Sequence, residues 1–135
     1  MKRIAIFSLI MVLLLCGCGG GRGEADDAEI IVGDSSLYSR EEILDAMEIA
    51  MKQFERGFEC CEMRTMEYDE AVSAVRGRDW ADQYGADEAI VLTSSFFVNG
   101  TKNPVLESFR TYENYQWILT RTSGGAWVLQ TWGYG

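Results

Sequence analysis

The sequence predicts an α+β domain in which one long N-terminal amphipathic helix packs on a curved antiparallel sheet of about four strands. Three observations lead there. A capping signal at Ser39 opens a stripe of apolar residues at helical spacing. From Cys61 onward the chain is rich in β-branched and aromatic runs separated by turn signals. The composition, 47% hydrophobic and 24% charged over 135 residues, suits a single globular domain.

The helix begins with Ser39-Arg40-Glu41-Glu42, a capping box with Ser39 as N-cap and Glu42 three residues on. Tyr38 precedes the cap and can staple onto Ile43. Glu41, Glu42 and Asp45 put negative charge where the helix dipole favours it. Ile43, Met47, Ala50, Met51, Phe54 and Phe58 then recur at helical spacing, and Gly57 is available near the end.

Cys61 and Met63 share one strand parity and Met66 and Tyr68 the other, so a strand here needs a bulge near Arg64 and Thr65. Residues 71–86 read weakly, with a short helix around 79–84 that sets Trp80 and Tyr84 on one face. Residues 89–98 are apolar on both parities, as in a central strand covered on two sides. Asn99-Gly100 marks a tight turn, residues 101–110 a loop, and residues 112–122 and 126–134 two strands joined by Ser123-Gly124-Gly125. Turn length leaves two registers open for that hairpin. A long helix across a curved sheet resembles the cystatin-like and NTF2-like folds, a likeness of fold that carries no function.

Ahead of the domain lies a leader. Lys2 and Arg3 are followed by residues 4–15, apolar except for Ser8. That run falls short of the roughly 20 residues a membrane-spanning helix needs and has the length of a signal-peptide core. The following Leu15-Cys16-Gly17-Cys18 resembles the lipobox of bacterial lipoproteins. The resemblance implies cleavage between Gly17 and Cys18 and lipidation of Cys18, whose thiol forms the thioether to the lipid. The organisation expected is a signal peptide over 1–17, a flexible tether over 18–34 and one α+β domain over 35–135. The tether reading rests on a glycine-rich and then acidic composition. Within it, Ile30, Ile31 and Val32 could instead form a small edge strand.

Charge and composition narrow the function classes. With 12 Lys and Arg against 21 Asp and Glu the formal charge is −9, which disfavours nucleic acid as a partner. The absence of His removes Ser-His, Cys-His and His-metal chemistry, and no phosphate loop or nucleophile elbow is present. No cofactor or metal is implied. Adjacent Cys60 and Cys61 lack the spacing of a redox or zinc motif. They read as a buried hydrophobe beside a freer thiol, with a vicinal disulfide or an intermolecular bridge as alternatives. Asn99-Gly100-Thr101 matches a glycosylation sequon and reads as a turn.

Two groups are candidates for binding a ligand. Tyr68, Asp69 and Glu70 bring carboxylates and a phenol together and could serve acid–base chemistry, although a solvated strand end with Tyr68 packed inward and Asp69 capping the next segment is the better account. Trp117 and Trp132, among several C-terminal aromatics, could stack a sugar or an apolar ligand, or fill the space between helix and sheet.

Beyond the leader, the chain resembles a family of small clostridial lipoproteins of unknown function. The likeness is carried by Tyr38-Ser39-Arg40-Glu41-Glu42-Ile43, Cys61-Glu62-Met63, Tyr68-Asp69-Glu70, residues 90–96, residues 117–121 and the closing Trp132-Gly133-Tyr134. It departs from that family's usual residues at Cys60 and Ser95. The resemblance implies an anchored envelope protein and no known activity. The expected function is therefore a membrane-anchored, extracytoplasmic binding or interaction module on the outer face of the cell membrane. It would meet the bilayer through acylated Cys18, together with an envelope protein, a small ligand or a second copy of itself. The alternative is a carboxylate-dependent enzyme acting on an envelope glycan or other small ligand.

Overall fold

The computed structural model describes residues 22–101, 103 and 105–134. The elements follow the order β1 (Glu29–Val32), α1 (Arg40–Gly57), β2 (Cys61–Tyr68), α2 (Glu70–Tyr84), β3 (Glu88–Val98), β4 (Thr111–Arg121) and β5 (Val128–Gly133). The five strands form one sheet in the order β1-β2-β3-β4-β5. β1 runs parallel to β2 and the other pairs are antiparallel.

This corrects the expected fold in three respects. The sheet has five strands and is mixed, where about four antiparallel strands were expected. A second helix of 15 residues packs on the sheet. The long helix is not N-terminal, because β1 precedes it and makes it the crossover between two parallel strands. The cystatin-like and NTF2-like analogy goes with the arrangement it rested on.

Residues 22–34, expected as tether, make fixed contacts with the fold. Gly23 N–H donates to the Glu55 carbonyl at 3.0 Å, and Glu24 exchanges backbone hydrogen bonds with β2, donating to Cys61 O at 2.9 Å and accepting from Met63 N at 2.7 Å. Ala25 is buried. A Cβ at position 23 would lie 2.6 Å from the Phe54 carbonyl oxygen, so only glycine lets the chain pass this close to α1. Residues 22–34 are thus a strap along β2, and its end is β1.

α1 carries the full capping box: Glu42 N donates to Ser39 Oγ at 3.1 Å and Ser39 N to Glu42 Oε1 at 2.8 Å. Its inner face, with Ile43, Ala46, Met47, Ala50 and Phe54, lies on Met63, Met66, Ile90, Leu92, Phe96, Trp117 and Leu119 of the sheet. The parity change in β2 is resolved by a bulge between Met63 and Thr65, which turns Cys61, Met63, Met66 and Tyr68 all inward.

α2 covers only part of the opposite face. Its buried residues are Ser73, Gly77 and Ala81, all small, so the helix sits close to β3. Ser73 Oγ accepts from Val91 N at 3.0 Å, and a Cβ on Gly77 would lie 2.8 Å from the Ala89 carbonyl oxygen. That smallness is why the apolar periodicity in residues 71–86 is faint. Asp69 caps α2 through Ala71 N at 3.0 Å, and Gly85 closes it at φ 64°.

The sheet has two ends. The first holds the N-terminus of α1, the start of β3 and the end of β4. The second holds the C-terminus of α1, residues 22–24, Cys60 and the β3–β4 loop.

Candidate functional site

The predicted pair Tyr68 and Glu70 proves to be the foot of a clamp. The Glu70 carboxylate accepts from Ser35 Oγ, from Ser36 N at 3.1 Å and Ser36 Oγ at 2.8 Å, from Leu37 N at 3.4 Å and from Tyr68 Oη at 3.1 Å. The Ser35 and Ser36 bonds hold its pKa down to about 2. A carboxylate so supplied with donors stays ionised and does not donate a proton near neutrality. The buried Tyr68 phenol is raised, chiefly by burial. Asp69 turns away to cap α2. The three residues together pin the segment between β1 and α1 to the start of α2.

This clamp has a pH signature. A folded-state pKa below the usual 4.5 means that the anion is favoured by the fold, so the contribution is complete above about pH 4.5 and is lost as the pH falls towards 2. Amide hydrogen exchange at Ser36 and Leu37 is expected to quicken over that window in the wild type. In Glu70→Gln it is expected to be fast and nearly pH-independent apart from intrinsic chemistry. Unchanged protection in the variant would show that the loop is held by something else.

The tryptophans part company. Trp117 is fully buried, its Nε1 donating to Ser94 Oγ at 2.9 Å. Trp132, opposite it in register, stacks on it at 5.8 Å between centroids with 26° between planes and is 39% exposed. An extra residue, Gln130, between the paired positions Leu129 and Thr131 puts both Leu129 and Trp132 on the α1 side. Tyr134 continues the aromatic row towards Tyr115 and Tyr112, with centroids at 5.5 and 6.4 Å. Neither tryptophan meets Tyr68 or Glu70 within aromatic or hydrogen-bond contact, so the expected residues form two places and not one site.

A cleft of about 400 Å3 opens at the first end of the sheet. Its walls are Leu37 and Tyr38 on one side and the Ser73, Gly77 and Arg78 face of α2 on the other, with Glu88 and Ala89 below. Tyr38 Oη donates to the Ala89 carbonyl at 3.3 Å. Burial first, and then Glu88, push this phenol up to about 12, so it serves as a hydrogen-bonding group and not as a base.

Behind the cleft lies a buried arginine. Arg121 Nε donates to Glu88 and its Nη2 to Glu42 Oε2 at 2.8 Å. Its Cζ sits 4.2 Å from the Trp127 ring centroid and 5.4 Å from that of Tyr38. Burial opposes the charge, but Glu88 and Glu42 outweigh it and Arg121 is held more firmly protonated. Glu42 in turn is lowered, first by the Ser39 backbone and then by Arg121. Trp127 Nε1 donates to Glu42 O at 3.1 Å, closing the network. The Trp127 contact spans the turn that joins β4 to β5. Glu88 and the cleft itself come together from distant segments, with no local motif to announce them.

Cys60 and Cys61 are both unbridged. Cys61 is buried, and burial raises its thiol to about 11, which keeps it unreactive. Cys60 occupies the turn after α1 at φ 63°. Among the described residues no three His, Cys, Asp or Glu side chains are grouped to hold a metal ion, and no helix is long and apolar enough to cross a membrane. Cys18 and Gly17 lie outside the described residues. No family model, curated protein or solved structure matches the chain.

Proposed function

We propose that the chain is a lipid-anchored, extracytoplasmic binding module: a small domain held to the outer face of the cell membrane through Cys18, with the cleft beside Tyr38 turned towards a ligand or an envelope protein. The observation that carries the anchor is the succession of a basic start, an apolar run of signal-peptide length and Leu15-Cys16-Gly17-Cys18. The geometry supports a binding role over acid–base catalysis through the commitment of Glu70 and Asp69 to backbone donors. The cleft lies at the sheet end opposite the one where the strap begins. An anchored chain therefore presents it away from the bilayer.

Metabolic labelling with a fatty acid tests the anchor. The full chain is expected to take up label and to fractionate with membranes, and Cys18→Ala to lose the label completely. Equal labelling of the two proteins would refute the assignment.

A further inference from the structure

We infer that the second end of the molecule, carrying Val105, Phe109 and Tyr134, rests on the lipid surface itself. This deepens the anchor reading and rests on it.

The first ground is where the chain enters the fold. Gly23 is fixed against Glu55 and Phe54 at the C-terminal end of α1. At roughly 3.5 Å per residue, the chain from Cys18 to Gly23 reaches at most about 18 Å. An acyl group on Cys18 therefore holds this end close to the bilayer, whatever path residues 19–21 take.

The second ground is what that end displays. The β3–β4 loop is tied to the same corner: Asn99 N donates to Cys60 O at 2.7 Å, and Asn103 Nδ2 to Glu59 O at 3.1 Å. It carries Val105 at 84% exposure and Phe109 at 64%. Tyr134, at 60%, adjoins it through Tyr112, whose hydroxyl accepts from Glu107 N at 2.9 Å. The other strongly exposed apolar side chains, such as Leu37, Val75 and Val128, lie apart from this end.

The third ground is the backbone at Phe109. Its φ is 56°, a conformation that bulky residues seldom adopt, and its N–H is held by Val98 O at 2.7 Å. Neither burial nor backbone preference accounts for an aromatic ring there. Entry into an interface does, since exposed aromatic and aliphatic side chains partition into the headgroup region. Arg110 Nη1 lies 2.7 Å from Glu107 Oε1, so these two charges beside Phe109 offset each other, while the loop's sequence adds one further positive charge at Lys102. The contact made by Val105, Phe109 and Tyr134 is apolar and forms on zwitterionic lipid without anionic headgroups.

The test uses the full-length protein purified from bacterial membranes and reconstituted in phosphatidylcholine vesicles. In a Cys60→Ser background, Phe109→Cys or Val75→Cys receives an environment-sensitive fluorophore, with Cys61 shielded by burial. The label at 109 is expected to shift to the blue and to be quenched several-fold more by nitroxide lipid than the label at 75. Phe109→Trp, which leaves every cysteine in place, is expected to add brominated-lipid quenching beyond that of the wild type. Equal water exposure at the two labelled sites, with the protein still bound after a carbonate wash, overturns the seating and leaves the anchor standing. Release of the protein by the wash overturns both.

Discussion

Trp117→Ala is expected to cost about 3–5 kcal/mol of folding free energy. The ring is fully buried and touches Phe54, Phe58, Tyr115 and Trp132, so alanine leaves a cavity at the meeting point of α1 and β4. It also strips Ser94 Oγ of the indole donor at 2.9 Å, a buried bond worth on the order of 1 kcal/mol. Trp117→Phe separates the two effects, since it keeps most of the volume and loses the bond. Urea unfolding followed by circular dichroism measures both. A loss below about 1 kcal/mol for the alanine variant would mean that the ring is not a packed element of the core.

Gly77→Ala is expected to destabilise, against the ordinary direction of such a change. In an open helix the substitution gains about 1 kcal/mol from propensity. Here the new Cβ meets the Ala89 carbonyl at 2.8 Å, a backbone atom of the central strand that cannot step aside. Overpacking of this kind costs about 1–3 kcal/mol, which outweighs the gain. Gly77→Leu is expected to lift α2 from β3, lower the unfolding midpoint further and open the cleft wall. Gly57→Ala is the control, because its nearest neighbour is the mobile tip of Gln53 at 3.3 Å. A stabilised Gly77→Ala would show that α2 does not sit as close to the strand as described.

The legibility of these features in the sequence follows their range. α1 was readable because a capping box and an apolar stripe are local patterns, and the β2 bulge because a parity change is local too. β1 was obscured by its surroundings: glycines and acidic residues around Ile30 to Val32 read as a linker, and only pairing with β2 makes a strand of them. α2 was obscured by its own packing, since Ser73, Gly77 and Ala81 bury a face without hydrophobic contrast. The candidate site was less readable still. Glu70 meets Ser35 and Ser36 across more than thirty positions of chain, and Arg121 meets Glu42 across still more. The fates of Trp117 and Trp132 turned on the extra residue at Gln130, which no turn-length argument supplies.

The parallel pairing of β1 with β2 makes the strap the cover of one edge of the sheet. The antiparallel strands from β2 to β5 join successive neighbours, with only α2 intervening. The strap reaches its partner only across the whole of α1. Until the strap docks, the β2 rim of the sheet stays bare.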